Sequence, residues 1–597
     1  MQQKDMNSMI IFIILTLLVT TAALVSGSTH AGGLGRMSVP SDWSHEHLIF
    51  SPPTSIWQSW KLQQDPRFWH QWLRRDEGGF RRGRSAGQGS DFVWHRPRPG
   101  ALGELHTDWG MSLLSGGSSG VGVFPAKFSF DINATPSCAN DFVVFNTGQT
   151  GAAARATIIA FNQLYSTQGS VGGACNQNGP SVMWSYNTGT GSILTSVVLS
   201  LDGTKVALVE TAAGGATLRI LKWKAGEGTA INLPTTPTTT LTAGQNWTAC
   251  PAANSCMASI AFNNVAADIG SSPFCDYNSD TIYVGDNDSA LHKFTGVFTG
   301  TPAEVTTGGW PITVNGTHNL TSPVFDSVSK NIFVGDDQGR LSYAKEVGSI
   351  TGVCASGSVP CLGTPNIALG GAIVDGPIVD PTAARVFFFD GTDTTNHGSV
   401  VQTDTALGNT RTAIIGGITA GSDIHSGAFD NAYLGGSFAT GHLIVCGKDS
   451  AANNTPALHR IGFAASGLMN TVSDGSLTLA TANGVECSPV TEIFDGTTDR
   501  VFFSVQNDAN QTTAGCLSGA QGCVMSLNLG GSWPPAAVTH GVSARGGTSG
   551  IIVDNVGTGT QQSNIYFTFR TNSTAAVPCN GVTGIGCAVK LTQSALQ

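Results

Sequence analysis

The chain has 597 residues, 41% hydrophobic and only 11% charged. An average soluble domain carries roughly a quarter charged residues, so this surface is built largely from Thr, Ser, Asn, Gly and Gln. The 76 Gly and 25 Pro follow no three-residue period, which excludes collagen, and the abundant Val, Ile, Leu and Phe exclude a wholly disordered chain. A net charge of −10 lacks the basic footprint of nucleic-acid binding, so nucleic acid is not an expected partner.

The first element in chain order is the uncharged apolar run Met9 to Val25, with Lys4 before it and small residues at Thr29 and Ala31 after it. This is the pattern of a signal peptide, assigned to residues 1–31. The run also approaches the roughly 20 residues that span a bilayer, so a retained anchor stays open. No later stretch comes close to that length, and the mature chain is expected to lack a membrane span and to be secreted, periplasmic or at the cell surface.

Residues 32–106 form a Trp-rich, partly helical extension. Residues 32–110 contain seven of the chain's 12 Trp. Asp65 followed by Pro66 reads as a helix start and Gly78 as its stop, with Phe68, Trp69, Trp72 and Leu73 on one face and Arg67, Arg74 and Arg75 outside. Upstream, His45 and His47 would share one side of an extended strand, but two imidazoles without a third ligand bind metal weakly, so no metal site is assigned there.

Past residue 111, short β-branched and aromatic runs alternate with Gly, Asn, Asp and Thr, the pattern of strands and tight turns. Two segments are copies of one unit: SSPFCDYNSDTIYVGDNDSALHKF from residue 271 and TSPVFDSVSKNIFVGDDQGRLSYA from residue 321. The Asp that ends the unit's first strand recurs as Asp131, Asp202, Asp276, Asp326, Asp380, Asp430, Asp495 and Asp554, eight times at spacings of 50 to 74 residues. Its place at a strand end makes it an Asx-turn cap rather than a catalytic group. Antiparallel units of this kind cannot bury both faces alone and must stack radially. The expected fold is therefore all-β, an eight-bladed β-propeller over residues 107–597, with seven blades as the alternative.

These units, SPVFDSVSKNIFVGDDQGRLSYA above all, resemble quinoprotein-like and YVTN-type β-propellers, and DWSHEHLIFS at 42–51 resembles the mature start of secreted bacterial proteins that carry such propellers. The resemblance implies architecture and assigns no activity. The chain ends soon after the third strand of the last unit, so residues 107–115 are expected to supply the missing fourth strand against residues 587–592.

The 13 Cys fit an exported protein. Close pairs at Cys250 and Cys256, Cys354 and Cys361, Cys516 and Cys523, and Cys579 and Cys587 read as disulfides, while Cys138, Cys175, Cys275, Cys446 and Cys487 are odd in number and leave at least one thiol free or bonded to another chain. Loops between second and third strands lengthen in the later units, from DGTDTTNHGS to TNSTAAVPCNGVTGIGC. They share one face with the loops entering each first strand, where Asp268, His318, Asp375, Asp423, His425 and Glu486 stand at the channel mouth. Those six are the candidate ligand-binding residues; no catalytic residue is assigned. A pyrroloquinoline quinone dehydrogenase resembles this architecture, but the vicinal Cys pair and the blade-wise Trp pattern of such enzymes are missing, and no cofactor is expected.

The sequence therefore points to an exported propeller that binds or scaffolds a glycan or protein, as a monomer or within a surface assembly. The alternatives are a secreted enzyme acting on carbohydrate or with a channel-bound cofactor, and a subunit docked through its Trp-rich segment.

Overall fold

The computed structural model describes residues 38–75, 105–131, 136–263, 270–347, 359–363, 366–391, 397–416, 423–449, 455–481, 485–494, 498–507, 516, 521–538, 540–555 and 562–593. The signal segment, Asp268, Cys354 and Asp495 lie outside them. Residues 38–597 form one compact unit.

Eight sheets follow one another along the chain, antiparallel but for the parallel pairing of Thr239–Leu241 with Cys256–Ala261, so the protein is an eight-bladed β-propeller. The innermost strands are Ala126–Ser129, Val198–Leu199, Phe274–Asp276, Val324–Asp326, Ile378–Asp380, Ala428–Phe429, Thr491–Phe494 and Ile552–Asn555, which number blades 1 to 8. Most of these strands and their neighbours are buried along their length, as in Thr281–Gly285 and Asn331–Gly335, because each sheet is covered by a blade on both faces. That is why their sequences are apolar runs rather than strict alternations. Four sheets carry five strands, a departure from the uniform four-stranded unit.

The Asp repeat behaves as turn chemistry. Asp276 accepts from Asn278 N, Asp326 from Val328 N and Ser329 N, and Asp380 from Thr382 N and Ala383 N. Asp430 caps a short helix through Tyr433 N. Asp554 instead holds the buried Lys127. Ring closure follows the expected pairing: Leu105–Ser112 lies antiparallel to Cys587–Gln593 as the outer strand of blade 8.

The N-terminal segment threads the channel. Val39–Ser41 pairs with the inner strand of blade 1, Ser41 opposite Lys127. Asp42 then caps helix α1 (Trp43–Glu46), and its Oδ2 accepts from Leu199 N of blade 2 and the Tyr277 hydroxyl of blade 3. Trp43 is fully buried, donating Nε1–H to Pro273 O of blade 3. Leu48 bridges to Val379 of blade 5, and Ser51 N reaches Asp380. A segment of thirteen residues, 39–51, that touches the inner strands of blades 1, 2, 3 and 5 can only lie inside the ring. Helices α2 (Ile56–Leu62) and α3 (Pro66–Arg75) close the end of the channel where the inner strands finish, with Leu62 fully buried and Gln58 Nε2 donating to Thr382 O.

Two expectations for this segment are corrected. Arg67 lies inside: it forks onto Asp65 at 2.9 Å through both Nε and Nη2, donates to Cys275 O, and stacks over Phe274, so its charge is fully bonded away from water. His45 and His47 do not share one side. His45 closes helix α1 with its Nδ1 against Asp42, whereas the His47 ring turns to Pro377 O.

Disulfides join Cys138 to Cys175, Cys250 to Cys256, Cys446 to Cys487, Cys516 to Cys523 and Cys579 to Cys587. Cys361 is also disulfide-bonded. Cys275 is a free, buried thiol. Five such bonds are consistent with an oxidising compartment. Among the described residues no helix is long and apolar enough to cross a membrane.

Candidate functional site at the channel mouth

The loops entering blades 5, 6 and 7 bring Asp375, His425 and Glu486 together. His425 stands between the two carboxylates, Nδ1 at 3.0 Å from Asp375 Oδ1 and Nε2 at 3.0 Å from Glu486 Oε1. Asp375 Oδ2 accepts from Ser426 N at 2.7 Å. Glu486 Oε2 accepts from Arg570 Nη1 at 2.7 Å. Arg570 belongs to the long loop after the second strand of blade 8, so this loop reaches the channel mouth. The chain Asp375–His425–Glu486–Arg570 thus ties four consecutive blades. Gly122 passes so close that a Cβ there would sit 2.5 Å from Asp375 Oδ1, which only glycine avoids.

Burial opposes charge throughout the cluster, and the ion pairs outweigh it. Burial alone would favour neutral His425, but Asp375 and Glu486 push it up to about 10. Burial would raise Glu486, but His425 and Arg570 hold it at about 2. Asp375 is likewise held below the usual carboxylate range, against its burial, by His425 and the Ser426 N–H. Asp423 stands beside them and is pushed up by burial, with Glu486 and Asp375 adding to the effect against His425. Lys448 is pushed down by burial despite Glu486 and Asp423, and donates to Val485 O at 2.8 Å. His47, at the floor, is driven down to about 4 by burial and is neutral.

His318 is not part of this group; it lies half-exposed with Nδ1 3.4 Å from Asp337. Arg570, Lys448, His47 and Gly122 escape a search for ionisable residues ahead of first strands, because they come from a distant loop, a strand end and the N-terminal segment. The scarcity of Arg in the propeller was the one sequence signal that marked Arg570.

Below the mouth is a cavity of about 130 Å³ lined by Trp43, His47, Gly122, Ser272, Asp375 and His425. The N-terminal segment forms its floor. Both nitrogens of His425 are engaged by carboxylates that keep it charged, so it cannot act as a base, and Glu486 and Asp375 are ionised and bonded. The same carboxylate–imidazole–carboxylate unit recurs within blade 3, where His292 is fully buried between Asp286 at 3.0 Å and Glu304 at 2.7 Å. There it pins a strand to its hairpin turn. The mouth cluster is the same device used between blades. Among the described residues no group of three or more His, Cys, Asp or Glu is arranged to hold a metal ion.

No protein-family model matches the sequence, and no curated protein matches it. Among solved structures, BamB from Moraxella catarrhalis is similar at 11% identity, over 75% of this chain and 96% of that one, with a TM-score of 0.35. A chain of a mitotic checkpoint complex is similar at 11% identity over 70% and 92%, with a TM-score of 0.34. The architecture rests on the strand pairing of the chain itself, which makes it a β-propeller with its own N-terminal segment in the channel.

Proposed function

We propose that the protein is an exported, disulfide-stapled propeller that binds or scaffolds a glycan or protein partner at the cell surface or outside the cell, through the loops rimming the channel mouth. The observation that carries this reading is the saturation of the channel. Its lower end is filled by residues 38–51, and Asp375, His425, Glu486 and Arg570 at the mouth are bonded to one another, which points to the surrounding loops as the surface for a partner. Disulfides close two of these loops, Cys516–Cys523 and Cys579–Cys587, and Cys446–Cys487 ties the residue beside Glu486 to the strand His442–Lys448. Restraint of this kind lowers the entropy lost on binding. The unit SPVFDSVSKNIFVGDDQGRLSYA supports a YVTN-type propeller in this reading, and the five disulfides fit an oxidising location.

The test is a binding screen of the oxidised protein against cell-wall glycans and surface proteins, run beside a variant in which residues 572–578 and 580–586 are replaced by short Gly-Ser turns around Cys579. Binding by the parent and its loss in the variant is the expected result. A panel-wide blank, or binding indifferent to the loop exchange, refutes it.

A further inference from the structure

The joint between the two ends of the propeller is built unlike the other seven blades. Blade 8 takes its outer strand, Leu105–Ser112, from the start of the propeller and its other three from the end of the chain. The disulfides whose two partners are both described join residues 6 to 41 apart, and none crosses this joint.

At the joint the strand pairing slips: Thr107 opposes Leu591 and Trp109 opposes Lys590, so Asp108 is the extra residue of a β-bulge. Bulges re-aim side chains. Here the bulge turns Asp108 inward, where its Oδ2 lies 2.9 Å from Lys590 Nζ, with the Thr592 hydroxyl also donating to it. The Lys590 side chain is fully buried and that of Asp108 is 6% exposed. A second buried pair adjoins them, Lys127 Nζ to Asp554 Oδ2 at 3.1 Å. Both ammonium groups face the ring of Tyr165, at 5.7 and 5.9 Å from its centroid. Among the described residues Asp554 Oδ1 is buried without a hydrogen-bond partner.

From this arrangement we infer that Lys590 Nζ and Asp108 Cγ join in an intramolecular isopeptide bond that closes the propeller ring covalently. The reaction is a condensation and needs no co-reactant. The Lys590 ammonium gives one proton to Asp108, which becomes the neutral acid, and the free amine attacks Cγ. The N–C bond forms, the C–O bond breaks, and the hydroxyl leaves as water with the second proton from Nζ. Asp554 acts on Lys590 through its charge, which helps hold the amine beside Asp108.

Three physical features favour the amide over the ion pair. Burial pushes the Lys590 amine toward its neutral, nucleophilic form, against the pull of Asp108 and Asp554. Two ammonium groups beside one buried ring repel each other, and condensation removes one positive and one negative charge from the buried joint. Paired strands hold the reacting atoms in contact, and fixed proximity is worth effective concentrations of about 10⁵ M or more.

The experiment is peptide mapping of the reduced, denatured full-length protein by mass spectrometry, with the Lys590→Ala and Asp108→Ala chains alongside. A branched peptide joining Asp108 to Lys590, lighter than its two parts by one water and absent from both variants, is expected. It needs only the wild-type protein to be decisive, should a variant fail to fold. Unmodified Asp108 and Lys590 peptides in full yield overturn the inference, and so does a branch that maps to Lys127 and Asp554.

Discussion

Replacing His425 by Gln tests whether the mouth cluster is a clasp between blades. Gln keeps hydrogen-bonding capacity and removes the charge. With a folded value of about 10 against an ordinary 6.5, the imidazolium contributes about 5 kcal/mol, at about 1.4 kcal/mol per pH unit. Because this value is raised on folding, the contribution is complete below about pH 6.5 and is lost as the pH rises toward 10; by pH 8 about 3 kcal/mol remains. Glu486, held at about 2, behaves in the opposite sense, and its contribution fades as the pH falls from about 4.5 toward 2. The His425–Glu486 pair is common to both figures and counts once. Urea unfolding of the oxidised wild-type and His425→Gln proteins, compared at pH 5.5 and pH 8, should show the stability difference between them shrinking by about 2 kcal/mol. A difference that stays constant over that range refutes a charged, doubly paired imidazole and reopens the mouth as an acid–base site.

Trp43→Ala removes the largest side chain of the channel plug and should cost about 3–5 kcal/mol in the same assay; a loss below about 1 kcal/mol would mean the plug is not part of the folded core. Arg67→Met leaves Asp65 buried without its partner, with an expected loss of about 3–5 kcal/mol, checked by urea unfolding and relieved by adding Asp65→Asn. Removing the Cys446–Cys487 bond with two Ala substitutions opens a loop of 41 residues, and chain entropy sets the expected loss at up to about 4 kcal/mol. Gly122→Ala should raise the urea sensitivity of the wild type toward that of His425→Gln, since the new methyl displaces Asp375.

The blade count was legible because it is local. An Asp at a strand end bonds backbone two or three residues on, so Asp276, Asp326 and Asp380 mark each unit without any knowledge of the rest of the chain. The ring-closing strand was legible by subtraction, a missing partner for Cys587–Gln593 and an alternating stretch at Trp109 to supply it. Of the mouth residues, Asp375, His425 and Glu486 could be listed from their position ahead of first strands, but not joined, because the loop geometry that brings residues 375, 425, 486 and 570 together is set by radial stacking. His318 satisfies the same positional rule and points elsewhere, to Asp337.

The repeating strand-and-turn unit, its number, the many cysteines and the low charge can be read along the chain, because they depend on composition and on neighbours a few residues apart. That residues 38–51 enter the channel, that Arg67 is inside, and that His425 is locked between two acids emerges with the folded ring. These depend on contacts between residues 50 to more than 300 positions apart, such as Ser51 with Asp380 and His425 with Asp375, and such contacts are created by closing the ring. A charged side chain reads as surface in a sequence until contacts at that distance bury it, even where its own counter-charge is near in sequence, as Asp65 is to Arg67.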